Sequence, residues 1–267
     1  MTMFQNWGDY WWPDQYEECL RNILHQTVTD GREIHDPDEL ARLERQLTTI
    51  RAAELIAHPE HVARTFDADH YHALHRWLFR DVYEWSGSPR VVTTLKGDSQ
   101  FADPEDIDRL LDIVLNNLGD PARFRTQPRA EFLETLTSTF TGLLMIHPHL
   151  EGNGRTSRLF MQQVAEHAGY RIDWTQVPAT QLVDATIDAF RLDPDALQRI
   201  LHDITHPLQD SDRAALFRQR MRTVPQPGTP RTQPVSPQPP EHAAEQRATP
   251  TRRPYDQGNT TEHGPAL

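Results

Sequence analysis

Lysine is almost absent from this chain. Lys96 is the only lysine among the 267 residues, and the other 26 basic residues are arginines. Acidic residues outnumber basic ones, so the formal net charge is −12. Proteins that grip the phosphate backbone of nucleic acids carry a basic surplus. The charge therefore argues against direct nucleic-acid binding, although a single nucleotide needs only a local positive site.

Cysteines and long apolar segments are equally scarce. Cys19 is the only cysteine, which excludes a disulfide framework and a zinc site built from cysteines. We expect Cys19 to be a small core residue. The first residues lack the basic-then-apolar layout of a signal peptide, and no apolar run approaches the ~20 residues of a membrane span. These absences predict a cytoplasmic protein without membrane contact.

The composition changes near the end of the chain. Residues 222–267 hold ten of the 21 prolines and few large apolar residues. Such a segment buries too little surface to offset the entropy lost on ordering. We therefore predict a disordered, proline-rich tail with polyproline II character.

Apolar residues at helical spacing predict a mainly α fold before the tail. Asp36 and Pro37 suit the N-cap and first position of a helix, and an apolar stripe follows at Leu40, Leu43, Leu47, Ile50 and Leu55. The same reasoning places helices at residues 36–56, 67–83, from 103 onward and 129–146, and it gives two or three more in 155–168 and 178–205.

One segment breaks the helical pattern. Residues 88–104 contain a β-branched run, a Lys-Gly-Asp turn and a return through Phe101. This arrangement is typical of a β-hairpin. A lone hairpin is marginally stable in water, so we expect it to lean on the helices or to act as a mobile flap.

The most informative stretch is HPHLEGNGRTSR, residues 147–158. Because the residue before a proline is pushed out of helical geometry, the preceding helix should end near His147. A second helix then begins after Gly152, Asn153 and Gly154. Its N-terminus offers unpaired N–H groups and a positive dipole to an anion. Arg155 and Arg158 share one face of that helix and can each grip phosphate oxygens.

The remaining motif residues, Glu151 and His147, predict a metal ligand and a general base. Glu151 would repel phosphates unless a cation intervened, and Mg²⁺ commonly binds one or two carboxylates together with substrate phosphates. His147 suits a general base, because its ordinary pKa of about 6.5 leaves it largely neutral at pH 7. The stretch therefore predicts a site for a polyphosphate, a divalent metal and a positioned base.

Other chemistries use similar residues. His147, His149 and Glu151 could form the metal cluster of a hydrolase, but that spacing suits a strand and the preceding residues predict a helix. A Walker-type phosphate loop requires a lysine and a preceding strand, and both are missing. We expect the further histidines to be solvated or packing residues, namely His58, His61, His70, His72 and His75.

The stretch resembles the signature of the Fic domain family, H-P-F-x-[D/E]-G-N-G-R-x-x-R. It matches every defined position except the third, where His149 replaces phenylalanine. The flanking LFRDVYEWSGSPR and LKGDSQFADPEDI are similar to the family's helix and flap, and CLRNIL and ARLERQLTTIRAAEL to its N-terminal part. The resemblance covers about residues 15–200. An imidazole at residue 149 should be tolerated if it is hydrogen-bonded.

The resemblance implies a Fic-type helical bundle with one hairpin flap. Residues 1–60 would form the N-terminal helical part. The core would occupy 61–205, with the flap at 88–104 and the motif at 147–158. A terminal helix or linker at 206–221 and the tail at 222–267 would follow.

The resemblance also implies transfer of AMP from ATP to a serine, threonine or tyrosine hydroxyl of a target protein. His147 would deprotonate the hydroxyl and Glu151 would hold Mg²⁺. Gly152, Asn153 and Gly154 would form the anion hole, and Arg155 and Arg158 would hold the outer phosphates. The flap residues Lys96, Gly97 and Phe101 would bind the target as an added strand. Some toxins of the family modify type II topoisomerases, which makes these one candidate target.

Regulation and rival functions follow from the same resemblance. Many members carry an inhibitory [S/T]-x-x-x-E-[G/N] helix whose glutamate blocks the second arginine. Thr29 and Glu33 have this spacing, but Ile34 follows, so we predict a toxin restrained by a separate small antitoxin that reaches Arg158. Gly154, where kinase-like relatives carry lysine, favours nucleotidyl transfer. The alternatives are a relative that uses another nucleotide or removes AMP, and a non-catalytic module that binds nucleotide or a partner.

Overall fold

The computed structural model describes residues 4–13, 18–96 and 99–209, without the side chains of Lys96 and Ser99. Short 3₁₀ turns separate the longer elements. The helices are α1 (Leu24–Thr27), α2 (Pro37–Ala57), α3 (Ala68–Phe79), α4 (Ile107–Leu118), α5 (Arg129–Ile146), α6 (Asn153–Ala168), α7 (Ala179–Phe190) and α8 (Asp195–Ile204). The strands are β1 (Leu95–Lys96), β2 (Ser99–Gln100), β3 (Tyr170–Ile172) and β4 (Thr205–Pro207).

Two helix starts follow directly from their capping residues. The Asp36 side chain accepts a hydrogen bond from the N–H of Glu39 at 2.8 Å, and the Asp67 side chain accepts one from His70 at 2.9 Å. Each bond satisfies a backbone donor that has no acceptor within its own helix. The predicted starts of α2 and α3 are therefore confirmed.

The predicted end of α3 was wrong. The helix stops at Phe79, not at residue 83. After the helix, Asp81 O accepts from the Thr27 hydroxyl at 2.7 Å, and Val82 O accepts from Ile23 N at 2.8 Å. The N-terminal segment therefore binds the residues that were expected to form the last turn of this helix.

The main core is built around α5, which contacts α4, α6, α7 and α8. Every apolar residue expected to face inward on α5 is buried: Phe132, Leu133, Leu136, Phe140, Leu143 and Leu144. On α2 the stripe was predicted one residue too wide, because Ile50 is 53% exposed. Burial of a stripe on each helix, not helix propensity alone, holds such elements in place.

A second, smaller core joins the N-terminal segment to the end of α3. It contains Cys19, as expected of a small buried residue, together with Tyr10, Leu24, Ile34, Leu40, Leu43, Leu78, Phe79, Val82, Tyr83 and Trp85. This core fixes α2 against α3, and it therefore determines where the side chains on the inner face of α2 can reach.

The hairpin is confirmed, and a second small sheet was missed. Strands β1 and β2 pair antiparallel, with Leu95 opposite Gln100. Strands β3 and β4 also pair antiparallel, with Ile172 opposite Thr205. The segment 178–205 contains the helices α7 and α8, as predicted, and its last residue, Thr205, begins β4. The paired residues lie more than thirty positions apart in the sequence, so no local pattern predicted this second sheet.

The tail at 222–267, most of the segment 206–221, and Gly97 lie outside the described residues. Among the helices of residues 4–13, 18–96 and 99–209, none has both the length and the apolar character needed to cross a bilayer.

Candidate active site

The turn between α5 and α6 is shaped by one proline and one glycine. His147 ends α5 with φ +50°, in the left-handed region, and Pro148 follows. Gly152 precedes α6 with φ +82°, and the helix begins at Asn153, two residues before the predicted start at residue 155. A non-glycine residue in the left-handed region costs roughly 1–2 kcal/mol, so surrounding contacts must hold His147 there. The predicted end of α5 near His147 is confirmed.

Arg90 supplies those contacts. Its guanidinium is almost fully buried and donates to the carbonyls of His147 at 2.9 Å, Ile146 at 3.2 Å and Val92 at 2.6 Å, and also to that of Ala102. Burial lowers the pKa of Arg90. One guanidinium thus links the end of α5 to both sides of the hairpin, and several carbonyls together satisfy its donors.

The imidazole of His147 is oriented by two neighbours. Its Nδ1 lies 3.3 Å from Leu144 O. A carbonyl can only accept, so Nδ1 carries the hydrogen in the neutral ring and Nε2 carries the lone pair. One ring face stacks on Phe101 with centroids 3.9 Å apart. Phe101 is therefore buried beneath His147, and only its backbone belongs to the hairpin edge.

The start of α6 is tightly packed. The Asn153 side chain accepts from His149 N at 2.9 Å and donates to His149 O at 2.6 Å. This pair closes the loop, so the Asn153 amide is occupied and only the backbone of this residue could serve an anion. A Cβ at Gly152 would collide with the ring of buried Phe79, whereas one at Gly154 would meet its nearest neighbour, Arg158 Nη1, at 3.5 Å.

We expect Gly152→Ala to destabilise the protein by about 3 kcal/mol, because it combines left-handed backbone strain with overpacking against Phe79. Thermal unfolding followed by circular dichroism measures this loss. Gly154→Ala is the matched control, since its Cβ makes ordinary contacts, and it should keep the melting temperature within about 2 °C. Equal melting temperatures for the two variants would contradict the packing argument.

The two arginines of α6 have different surroundings. Arg155 Nη2 lies 2.5 Å from Glu44 Oε1, and its guanidinium sits 4.8 Å over the ring of Phe79. Arg158 is half-buried, and no carboxylate pairs with it in the part of the chain that the structure describes. Burial, and then the charge of Arg155, lower the pKa of Arg158. A half-buried cation without a carboxylate favours an anionic ligand.

Glu151 projects from the loop beside these cations. Its side chain is 51% exposed, and its Oε1 accepts from Gly152 N at 2.8 Å and lies 3.5 Å from Arg155 Nη2. Within the described residues no three histidine, cysteine or acidic side chains form a metal cluster. A single exposed carboxylate beside an anion site suits Mg²⁺, which keeps several water and phosphate ligands.

One cavity brings the motif together. It has a volume of about 1060 Å³ and is lined by all seven predicted motif residues: His147, Glu151, Gly152, Asn153, Gly154, Arg155 and Arg158. Phe101 and Leu95 line it from the hairpin, and Trp7 and Trp11 from the N-terminal segment. Lys96 lies in β1, but its side chain, like Gly97, is outside the described part.

A layer of imidazoles lies behind the motif. His149 is fully buried, stacks on His75 with centroids 3.7 Å apart, and shares a 2.9 Å hydrogen bond with His72. His75 in turn accepts from Gly87 N at 2.8 Å and donates to Glu151 O at 3.0 Å. The imidazole at residue 149 is thus hydrogen-bonded as expected, although its Nδ1 has no partner.

A family model described as the Fic/DOC family matches residues 65–165. A curated relative, the probable protein adenylyltransferase y4lH of Sinorhizobium fredii, is 34% identical over 158 residues, which cover 59% of this chain and 80% of the relative. The chain belongs to the Fic/DOC family. The resemblance of residues 147–158 to the Fic signature, and the fold it implied, are confirmed.

Two further Fic relatives extend the comparison. The protein adenylyltransferase VbhT of Bartonella schoenbuchensis is 33% identical over 188 residues, or 70% of this chain, which spans only 38% of VbhT. The N-terminal Fic domain of a VirB-translocated Bep effector from Bartonella quintana, solved with bound ADP, superposes with a TM-score of 0.65 at 25% identity. That alignment covers 78% of this chain and 97% of the effector domain.

Three residues around the Fic motif were missed as functional candidates. Arg90 orients His147, His75 holds the Glu151 carbonyl, and Glu44 pairs with Arg155. Only Glu44 could have been recognised from the sequence, because it lies one turn from Leu40 on the apolar stripe of α2. A charged residue on a buried face is rarely there without a partner.

Proposed function

We propose that this chain is a protein adenylyltransferase, which transfers AMP from ATP to a hydroxyl side chain of a target protein. The observation that carries the proposal is the meeting of His147, the glycine-bounded start of α6 and Arg158 in one cavity. The curated relatives bear this activity in their names, and a related Fic domain was solved with ADP. Both support a nucleotide substrate.

The geometry supports the following steps for the proposed transfer. The lone pair at His147 Nε2 accepts the proton of the target hydroxyl, whose oxygen attacks the α-phosphorus of ATP. The bond from the α-phosphorus to the oxygen bridging to the β-phosphate breaks, and pyrophosphate leaves with that electron pair. Backbone N–H groups at the start of α6 and the Arg158 guanidinium hold the phosphate oxygens. They thereby stabilise the charge that develops during the transfer.

Mg²⁺ fits the donor set of this site. Glu151 would hold it together with phosphate oxygens of the substrate, and the ion would neutralise phosphate charge. Glu151 Oε1 accepts a hydrogen bond from Gly152 N at 2.8 Å and lies 3.5 Å from Arg155 Nη2. This arrangement keeps the carboxylate near the anion site without requiring a second acidic ligand.

We further propose that the activity is restrained by a separate antitoxin protein whose glutamate reaches Arg158. Thr29 and Glu33, the pair with inhibitory spacing, lie beyond the end of α1 in a turn with Asp30 at φ +51°, and Glu33 faces His35 at 3.1 Å. Within the described ranges no carboxylate occupies Arg158. A toxin acting in the cytoplasm on a protein target fits this arrangement.

The test is transfer of label by the purified chain. With [α-³²P]ATP and Mg²⁺ we expect label on the chain itself or on a lysate protein, and mass spectrometry then identifies the modified residue. Type II topoisomerases are the first purified targets to try. Competition by CTP, GTP and UTP checks the nucleotide, and loss of label from a modified target would reveal AMP removal instead.

The same assay tests restraint. The chain alone should transfer AMP without any activating substitution, and Glu33→Gly should leave the rate unchanged. An inactive chain that Glu33→Gly releases would contradict the antitoxin proposal. Calorimetry that detects no ATP binding at millimolar Mg²⁺ would contradict the enzymatic function and favour a binding module.

A further inference from the structure

Glu44 is an unusual residue for the inner face of a helix. It lies on α2, far in sequence from the motif, and its side chain is only 8% exposed. Its Oε1 accepts from Arg155 Nη2 at 2.5 Å, and its Oε2 accepts from the hydroxyl of Tyr83. A buried carboxylate costs stability unless such partners compensate it, so this placement demands an explanation beyond packing.

Arg155 is held from several directions by this arrangement. Thr48, one turn after Glu44, places its Oγ1 3.5 Å from Arg155 Nη1, and the Phe79 ring lies 4.8 Å from the guanidinium carbon. The side chain remains 27% exposed and lines the cavity. One edge of the guanidinium is therefore fixed, while the rest of the group stays at the cavity wall near Glu151.

The support for Glu44 is itself rigid. Tyr83 is buried in the second core, and burial, followed by the charge of Glu44, raises the pKa of its phenol well above the ordinary value. The phenol therefore stays protonated and donates to Oε2. With both oxygens occupied, the carboxylate cannot rotate away from Arg155 without leaving a buried charge unpaired.

We propose that Glu44 is a positioning residue for the phosphate-binding edge of the site. It holds Arg155 in one orientation, from which the remaining N–H donors of Arg155 reach a phosphate and steady Glu151. Arg158 then supplies the positive charge that no carboxylate compensates, whereas Arg155 supplies hydrogen-bond donors that are held in one orientation toward the phosphate. This inference rests on the proposed function, because it concerns the same nucleotide.

The test separates the shape of residue 44 from its charge. Glu44→Gln keeps an acceptor for Arg155 and a partner for Tyr83, so it should retain kcat and stay within about 3-fold of the original KM for ATP. Glu44→Ala releases Arg155, and groups that orient a ligand-binding residue typically contribute about 10–100-fold. We expect that loss in kcat/KM for ATP, mainly through KM, with the KM for the protein target unchanged.

Controls make the outcomes distinct. Glu39→Ala removes another ion-paired acid of α2, which faces Arg32 at 2.7 Å, and should leave both constants unchanged. Melting temperatures show whether each variant is folded. If Glu44→Ala does not fold, Tyr83→Phe replaces it, and we expect KM for ATP to rise about 3-fold because one support of the carboxylate is lost.

Each other result has one meaning. An original chain that neither binds nor transfers nucleotide would overturn the proposed function itself. An active chain whose folded Glu44→Ala variant matches it would overturn the positioning role. Higher activity in both Glu44 variants would show that Glu44 competes with phosphate for Arg155, which would also overturn the proposal.

Discussion

Substituting His147 by alanine should lower the rate of AMP transfer by about 10²–10⁴-fold, which is the usual contribution of a positioned base. The structure gives this imidazole one direction for its lone pair, because Nδ1 faces the Leu144 carbonyl and Phe101 covers a ring face. No other histidine lines the cavity within the described residues. A neighbouring imidazole therefore cannot take over the proton.

The same substitution should leave nucleotide binding almost unchanged. In the proposed site the groups that would face phosphates belong to α6 and its preceding loop, and the His147 side chain is not among them. Calorimetric titration with ATP and Mg²⁺ should give a dissociation constant within about 3-fold of the original. His202→Ala, at an exposed histidine of α8, is the matched control for transfer. Label incorporation that survives His147→Ala at the original rate would refute the assignment of the base.

Acidification from pH 7 to pH 5 should destabilise the folded chain strongly. Burial lowers the pKa of His75 to about 3 and that of His70 to about 4, and it lowers the pKa of His149 well below its ordinary value. All three side chains are at most 1% exposed. The folded protein therefore keeps these imidazoles neutral under conditions in which the unfolded chain protonates them.

The sign of this pH effect follows from the difference between the numbers of protons bound by the unfolded and the folded state. Below about pH 6.5 the unfolded state binds more protons than the folded state, so the free energy of unfolding falls as the pH falls. Each histidine with a strongly lowered pKa contributes about 1.4 kcal/mol per pH unit, or about 2 kcal/mol at pH 5. His70 and His75 together thus lower the free energy of unfolding by about 4 kcal/mol, which is a large part of the typical value of about 5–15 kcal/mol. Carboxylates whose pKa values are lowered on folding add to the loss mainly as the pH falls through their ordinary values of about 4–4.5.

Scanning calorimetry at pH 7, 6 and 5 measures this effect. A loss of about 4 kcal/mol corresponds to a decrease in melting temperature of about 8–16 °C for a domain of this size. His149→Phe removes one buried imidazole and should make the pH dependence shallower, while His202→Phe, whose side chain is 61% exposed, should not change it. A melting temperature that is constant from pH 7 to pH 5 would contradict the prediction.

Local signals in the sequence predicted the parts of the site that local physics determines. Pro148 ended α5 at His147, Gly152 preceded α6, and Asp36 and Asp67 capped their helices. Each of these outcomes depends on neighbours within four residues, for which spacing and side-chain type suffice. The pairing of Leu95 with Gln100 also followed from the β-branched run before the predicted Lys-Gly-Asp turn and the return through Phe101.

Contacts between distant segments could not be predicted in this way. Glu44 and Arg155 are 111 residues apart, and Arg90 and His147 are 57 residues apart. The strand pairing of Ile172 with Thr205 depends on where α7 and α8 return the chain. The expectation that Arg155 and Arg158 act alike also came from their spacing alone, since helical periodicity says nothing about a carboxylate supplied by α2.

Arg90 connects the hairpin to the residue that ends α5. Val92 and Ala102 bracket the hairpin, and their carbonyls accept hydrogen bonds from the guanidinium that also donates to the carbonyl of His147. Because one guanidinium binds all three carbonyls, a displacement of the hairpin would be transmitted to the backbone of His147. The position of the hairpin and the orientation of the proposed base are thus linked through one side chain.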